Sequence, residues 1–348
     1  MRKTIALLAA LSALAVFAVI LGGGAAASAS QGPSATVKGL GTSGPANSPK
    51  SFAPPAACNP CLYYSGDFSA ADPNANGLAN EVDAIVTTGS HQYTPVLPNA
   101  TWHVTRLLVN SLINYTPTSA TWEIRTGVSE GNGGVLIASG SGAVTQTPTG
   151  RSAFGFTEFT DSVAVAVVLN PGTLYWINVT PVCAACSGRA FESNVPPGTA
   201  ANHVGPTNIL DQNFWNSAFF ATNFTNSNNG GVFHLFSFGV AGTTNPTITV
   251  TKHLVSNILD PAKFNLLIDG VVYAANVGNG GTTGAITVTA GSHTVSETPG
   301  LNANMSNYTA RISCSDGSFT YGTSLVVNVV LGENLTCIIT NTRKLFKV

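Results

Sequence analysis

The sequence predicts an all-β protein built from two tandem β-sandwich domains, and three observations support this fold class. Only 8% of the 348 residues are charged, whereas 36 of the 348 are glycine. Short apolar segments rich in Val and Thr alternate with Gly, Pro and Asn, which are the residues of strands and of the turns between them. Between Cys58 and Thr243 no segment shows a sustained helical stripe with caps.

The first 30 residues have the layout of a secretory signal peptide. Arg2 and Lys3 precede an apolar run over residues 4–21, and small residues follow, so we expect cleavage near residues 27–30. An uncleaved anchor helix is the alternative, because the run approaches the length of a membrane span. No second run of this kind follows. The mature chain is therefore predicted to lack a transmembrane segment and to be secreted, with association to the cell surface left open.

Composition divides the rest of the chain into three parts. Residues 31–57 are rich in Gly, Pro, Ser and Ala and predict a flexible lead-in. Residues 58–243 predict a jelly-roll-like β-sandwich. The second sandwich is expected over residues 244–348, after a hinge at Thr243-Thr244-Asn245-Pro246.

The second domain is predicted to contain seven short strands, and seven segments are given as examples of predicted strands in the first. Those of the first are 101–110, 120–126, 135–139, 143–146, 163–169, 174–180 and 232–240; those of the second are 247–254, 264–269, 284–288, 293–297, 308–314, 324–331 and 335–341. Four tryptophans lie in these or similar apolar segments, and core packing is the expectation for them, with a sugar-stacking platform as the alternative: Trp102, Trp122, Trp176 and Trp215.

Six cysteines remain after the signal peptide, and in an oxidising compartment an even number predicts disulfides. Cys314 and Cys337 lie on the strands that flank the 325–331 strand in the second domain, so a bond between them is the simplest pairing. The other four form two C-x-x-C pairs, Cys58/Cys61 and Cys183/Cys186. Their spacing also suits a four-thiolate zinc site, but the compartment favours two disulfides. We expect the two pairs to cluster, tying the start of the first domain to the loop after residue 180.

The second domain resembles the prealbumin-like domains of bacterial surface proteins, related to the B-type repeats of Gram-positive collagen adhesins and pilins. The resemblance covers nearly the whole domain and rests on residues 249–253, 263–270, 289–298, 312–314 and 331–342. The first domain resembles β-sandwich ectodomains of bacterial exported proteins of unknown function, through residues 122–134 and 169–181. Such proteins often carry a C-terminal anchoring segment, and residues 343–348 match none, so free secretion and noncovalent retention both stay open.

The resemblance to adhesin and pilin domains implies a covalent cross-link. In those domains a lysine on the first strand condenses with an asparagine on the last, assisted by a buried acid, and the matching positions here are Lys252, Asn341 and Glu297. Strand alternation supports the match independently, because each of the three residues shares a face with the apolar residues of its own strand. The alternative is an ordinary Lys252 that extends to solvent at the sheet edge.

Other kinds of chemistry have weaker support. The low charge excludes a basic surface for nucleic acids, and no catalytic, phosphate-binding or dinucleotide motif occurs. Glu158 and Asp161 are conceivable as a paired acid and base, but we expect solvated charges at strand ends. No cofactor is expected. The other candidate catalytic groups of the first domain are few: His91, His103, His203, His234, Glu81, Asp83, Glu123, Glu192 and Asp211. The candidates for a calcium ion are Asp67, Asp72 and Asp83, whose spacing fits no known calcium loop.

The sequence therefore predicts a secreted or cell-surface structural or adhesive protein rather than an enzyme. Its partner is expected to be an extracellular protein or glycan. An extracellular carbohydrate-binding protein is the alternative, followed by a secreted hydrolase. Exposed aromatic residues on one sheet face favour the first alternative, and convergent carboxylates in a cleft favour the second.

Overall fold

The computed structural model describes residues 33–38, 53–195, 202–206, 212–227, 235–256 and 259–344. The predicted signal peptide, His234, Asp211 and residues 345–348 lie outside these ranges. Twenty-five strands and one short 3-10 helix, Met305–Asn307, make up the regular structure of the described residues. No helix among them is long and apolar enough to cross a membrane. The prediction of an all-β fold is confirmed.

The strands up to Thr244 form a nine-stranded and a seven-stranded sheet, here called the first sandwich. They are β1 (Thr36–Lys38), β2 (Cys61–Tyr64), β3 (Asn76–Ala79), β4 (Val82–Asp83), β5 (His91–Val96), β6 (Trp102–Ile113), β7 (Ser119–Thr126), β8 (Val135–Gly142), β9 (Val144–Ala153), β10 (Phe156–Leu169), β11 (Tyr175–Cys183), β12 (Ala190–Val195), β13 (Phe214–Ser217), β14 (Thr222–Asn226), β15 (Leu235–Phe236) and β16 (Phe238–Thr244).

The strands from Thr247 onward form a five-stranded and a four-stranded sheet, here called the second sandwich. They are β17 (Thr247–Val255), β18 (Phe264–Ile268), β19 (Val271–Val277), β20 (Thr282–Thr287), β21 (Gly291–Pro299), β22 (Tyr308–Cys314), β23 (Phe319–Tyr321), β24 (Ser324–Val329) and β25 (Asn334–Arg343). The predicted domain boundary falls beside the junction of β16 and β17, and it stays a prediction.

Each pair of sheets encloses an apolar core. In the first sandwich, Leu107 and Val163 of one sheet pack with Ile124 and Ile177 of the other. In the second, Val250 and Ile339 of the five-stranded sheet, whose order is β20-β17-β25-β22-β23, pack with Val295 of the four-stranded sheet. Strand alternation produces both cores, because every second side chain points inward.

The second sandwich contains nine strands where seven were predicted, because Val271–Val277 and Phe319–Tyr321 are additional strands. Two differences in the first sandwich have clear physical reasons. Thr36–Lys38, inside the predicted flexible lead-in, pairs antiparallel with β3, and Val37 packs against a small core cluster. Backbone pairing at a sheet edge needs no apolar period, so composition does not reveal it. The β9–β10 hairpin is longer than predicted because its polar residues continue the ladder to a turn at Phe154 and Gly155, both with positive φ.

Candidate cross-link site

Lys252 lies at the centre of the candidate site, on the inner face of β17. Burial alternates along this strand, and Ile248, Val250 and Lys252 are its buried members. The Lys252 side chain has no exposed surface. The alternative in which Lys252 extends to solvent is therefore wrong.

Glu297 approaches Lys252 from the opposite sheet. It lies on β21, opposite Leu266 of β18, and its carboxyl Oε2 is 2.5 Å from the Lys252 Nζ, which donates the hydrogen bond. The second carboxyl oxygen, Oε1, is buried without a hydrogen-bond partner. One acceptor is thus engaged by the amine and the other is available to a further donor.

Asn341 lies on β25, the parallel neighbour of β17. The register pairs Lys252 with Ile339 and Leu254 with Asn341, so Lys252 and Asn341 lie two positions apart along neighbouring strands. Both side chains face inward, since the buried residues of β25 are Leu335, Cys337, Ile339 and Asn341. The carboxamide of Asn341 is buried, and neither its Nδ2 nor its Oδ1 has a hydrogen-bond partner. An unpaired buried amide is energetically costly, so this group is poised for another interaction.

The surroundings of the amine are apolar. The Lys252 Nζ lies 4.2 Å from the centroid of the Phe264 ring, and Phe264 packs with Ala262 and Tyr308 in a small cluster. Burial lowers the pKa of Lys252 to about 8, although the charge and hydrogen bond of Glu297 oppose the shift. The neutral amine, which is the nucleophilic form, is consequently more accessible near neutral pH than that of an exposed lysine. Phe264 was not identified from the sequence, because an apolar strand residue carries no signal of this role.

The disulfides occupy all six cysteines. The predicted bond between Cys314 and Cys337 is present and joins directly opposed residues of β22 and β25. The remaining bonds are Cys58–Cys61 and Cys183–Cys186, each closed within its own C-x-x-C pair. Neither bond joins one pair to the other, and the expected clustering of the two pairs in space stays a prediction. No thiol remains free for zinc.

Glu158 and Asp161 differ most from expectation, since both are fully buried rather than solvated. Glu158 forms an ion pair with Arg151 and accepts a hydrogen bond of 2.6 Å from the Ser193 hydroxyl. Asp161 faces the interior without a hydrogen-bonded partner, and burial raises its pKa to about 7. They belong to β10, an interior strand of the nine-stranded sheet, which explains their burial.

Glu81 and Glu192 of the first sandwich are also buried. Burial raises the pKa of Glu81 to about 7, against the opposing effect of Arg189, and raises that of Glu192 well above its usual value. Neither side chain opens to the surface. Both carboxyl groups are therefore shielded from solvent.

The expected calcium candidates serve separate local roles. Asp67 pairs with Arg151 and accepts a hydrogen bond from Tyr64, whereas Asp83 accepts from the backbone N–H groups of Ile85 and Val86. Asp72 accepts from the backbone N–H of Asn74. Within the described ranges no three metal-binding side chains converge.

The tryptophans largely follow the core-packing expectation. Trp102 and Trp176 are buried, while Trp122 and Trp215 are half-buried. The most exposed aromatic side chains of the described residues lie in the second sandwich, where Phe319 and Tyr321 of β23 are 58% and 74% exposed.

Comparison with known proteins finds structural similarity alone. No family model matches the chain, and no curated protein does. A bacterial adhesin from Mobiluncus mulieris containing intramolecular disulfide, isopeptide and ester bond cross-links is 10% identical, with a TM-score of 0.26 over 72% of this chain and 100% of that one.

Two further similar structures come from pili. The major pilin protein T3.2 of Streptococcus pyogenes is 12% identical, with a TM-score of 0.25 over 70% of this chain and 100% of that one. The pilus 2b backbone protein of group B streptococcus is 12% identical, with a TM-score of 0.24 over 81% and 95%. Solved structures similar to this chain thus include bacterial adhesins and pilins. Because the TM-scores are low, function is argued below from the geometry of the site.

Proposed function

We propose that this chain is a secreted or cell-surface structural protein whose second sandwich is stiffened by an isopeptide bond between Lys252 and Asn341. The observation that carries the proposal is the burial of a lysine, a glutamic acid and an asparagine within one apolar interior. Lys252 and Glu297 are in contact, and Asn341 is on the neighbouring strand with both amide atoms unpaired. Three polar groups in such a place are costly unless they interact.

The proposed reaction begins with the hydrogen bond between Lys252 and Glu297. Transfer of the shared proton to Glu297 leaves a neutral amine, which attacks the Asn341 Cγ. Glu297 then gives its proton to the departing Nδ2 as the Nζ–Cγ bond forms and the Cγ–Nδ2 bond breaks, so that ammonia is released. The remaining extra proton on Nζ passes back to the Glu297 carboxylate, which leaves a neutral amide and a protonated Glu297. The low polarity around Phe264 favours neutral reactants, and a hydrogen bond from the protonated acid would stabilise charge on Oδ1.

The product would hold β17 and β25 together covalently. Since the Cys314–Cys337 disulfide already joins β22 to β25, three neighbouring strands would be cross-linked through β25. Such a module suits a structural role outside the cell, where stability must outlast the lifetime of noncovalent contacts.

Intact mass spectrometry tests the proposal. The purified wild-type protein should weigh one ammonia less than its disulfide-corrected sequence. Glu297→Gln and Lys252→Met should both restore the full mass, because they remove the proton carrier and the nucleophile. Asn328→Asp, at an exposed position on β24, is the matched control and should retain the deficit. A wild-type mass without the deficit would refute the cross-link.

Glycan binding is the second candidate, favoured by the exposed rings of Phe319 and Tyr321. Both rings lie on the outer face of the five-stranded sheet, and the Arg311 guanidinium is 5.5 Å from the centroid of the Phe319 ring. Aromatic faces and arginine can stack against sugars. A glycan array with the wild type and with Phe319→Ala/Tyr321→Ala would test this candidate, and equal binding by the two proteins would reject it.

A further inference from the structure

A cavity of about 310 Å³ lies beside β9 and β10 in the first sandwich, at the lower end of the volumes of small-molecule sites. Residues 53–57 and Pro148 give it an apolar wall of alanine and proline side chains. Its polar lining consists of one carboxylate, one guanidinium and three hydroxyl groups, from Asp67, Arg151, Thr147, Thr149 and Thr160. The cavity therefore combines a polar and an apolar surface.

A bulge in β9 directs Arg151 towards this cavity. Residues 149–151 stand opposite the single residue Glu158 of β10, whereas the residues on either side pair one to one. Extra residues of this kind bend a strand and change the direction of its side chains. The Arg151 side chain is only 4% exposed, and it forms ion pairs with both Asp67 and Glu158. The guanidinium is thus held by two carboxylates.

The charges around the cavity do not cancel. Asp67 Oδ2 lies 2.8 Å from Arg151 Nη1, and Glu158 Oε2 contacts the Nε of the same guanidinium. Among the ion pairs of the described residues, neither carboxylate has a second cationic partner. One positive charge thus faces two negative charges, and an uncompensated charge inside a protein is costly. A ligand that carries one positive charge would complete the balance.

Three oxygen atoms of the lining can still accept hydrogen bonds. The Thr160 hydroxyl proton is donated to Asn110 Oδ1 at 2.7 Å. The Thr149 hydroxyl proton is likewise donated to Glu158 Oε2 at 2.9 Å, so both hydroxyl oxygens keep lone pairs for a ligand. Asp67 Oδ2 is buried, and its contact with the guanidinium lacks hydrogen-bonding geometry, so it is the third acceptor. A primary ammonium group suits these oxygens because it has three N–H donors and no acceptor.

We propose that this cavity binds a primary alkylammonium group, with its nitrogen beside Asp67 and Thr160 and its alkyl chain against residues 53–57. The charge and the three acceptors select the ammonium, and the wall of alanine and proline selects the alkyl chain. A free alkylamine and the lysine side chain of an extracellular protein share this chemistry. The site is independent of the proposed cross-link, because every residue that lines it precedes β17.

Ligand-observed NMR with the purified full-length protein tests the binding. Saturation transfer to n-butylammonium should rise to a plateau as the amine is added, whereas n-butanol, which has the same alkyl chain without the charge, should give no saturable signal. N-acetyl-lysine methylamide identifies the source of the group: tighter binding than n-butylammonium assigns the site to a protein lysine, and weaker binding assigns it to a free amine. Equal binding of n-butylammonium and n-butanol, or no saturable binding of either ammonium compound, overturns the proposal.

A charge placed beside the cavity provides a second test. Thr147 is an exposed lining residue of β9, so Thr147→Lys should leave the fold intact and weaken n-butylammonium binding about fivefold by repulsion. Thr336→Lys, exposed on β25 of the second sandwich, makes the same change in net charge and should leave the affinity unchanged. An unchanged affinity in Thr147→Lys, or an equal loss in both variants, would contradict the proposal.

Discussion

The two sandwiches bury ionisable groups in different ways. In the second sandwich, Lys252 and Glu297 meet from opposite sheets at 2.5 Å, so each has a partner that can exchange a proton with it. In the first sandwich, Asp161 is buried without a hydrogen-bonded partner and Glu192 has one free carboxyl oxygen. When an acid and a base are buried in contact, the two groups can exchange a proton. When an acid is buried without such a partner, desolvation raises its pKa and favours its neutral form. The first arrangement supports bond formation, and the second makes stability depend on pH.

The largest expected effect concerns the cross-link. Glu297→Gln should lose the bond and release the long chain segment between Lys252 and Asn341 in the unfolded state. By analogy with disulfides, this lowers the free energy of unfolding by about 4–5 kcal/mol. Denaturant unfolding of the second sandwich measures the loss, with Asn328→Asp as control. An unchanged midpoint in a variant whose mass proves the bond absent would show that the cross-link does not stabilise the fold.

The disulfides should contribute different amounts to the free energy of unfolding. Replacing Cys314 and Cys337 by serine opens a loop with a sequence separation of 23 and should cost about 3 kcal/mol. The same change at Cys58 and Cys61, whose separation is 3, should cost about 2 kcal/mol. Thermal unfolding of the two double variants compares these effects. Equal losses would indicate that native-state strain or packing, rather than loop length, sets the contribution.

The free energy of unfolding of the first sandwich should depend on pH through the ionisation of Asp161. Because burial raises the folded-state pKa to about 7, stability is fully present below the unfolded-state pKa and falls as pH rises toward 7. The Ser111 hydroxyl and Gln146 amide favour the ionised form in part, although neither reaches hydrogen-bonding geometry. Ionisation of Asp161 should cost about 3 kcal/mol of stability between pH 4 and 7, and Asp161→Asn should remove this loss. Urea midpoints across this range test it, and an equally steep slope in the variant would exclude Asp161 as the source.

The smallest expected effect lies at the surface of the second sandwich. His293 Nδ1 is 2.6 Å from Asp269 Oδ2, and Nε2 is 2.7 Å from the Thr289 carbonyl, an arrangement that requires a doubly protonated ring. Burial lowers the pKa of His293, but these two acceptors outweigh it and raise the pKa above its usual value. Stability is then greatest below the unfolded-state pKa and declines as pH rises through the folded-state value.

His293→Gln tests this pair of hydrogen bonds. It should cost about 1 kcal/mol at pH 5 and less at pH 9, since Asp269 is half-exposed and solvent weakens the pair. Paired denaturation curves at the two pH values give the difference. A loss that is the same at both would assign the effect to packing rather than to the charged ring.

Strand alternation explains how much of the candidate site was predictable. Lys252 and Asn341 could be placed on inner faces because every second residue of β17 and β25 is apolar. The burial of Asp161 could not be predicted, because β10 lies between β6 and β9 and its polar residues contact neighbours remote in sequence. The contact of Phe264 with Lys252 could not be predicted for a related reason, since only the fold brings the ring beneath the Lys252 amine. The alternation of apolar residues along a strand thus predicts which face of the sheet a side chain occupies. Packing against residues remote in sequence determines which polar side chains are buried.

The parallel pairing of β17 with β25 has a mechanical consequence. Tension applied before Thr247 and after Arg343 would pull these neighbouring strands past each other in shear, loading all their backbone hydrogen bonds together. With the proposed bond in place, the force would pass from Lys252 directly to Asn341, and the chain between them would carry none of it. The second sandwich would then behave as an almost inextensible link, able to keep its shape under a load that unfolds an uncross-linked sheet.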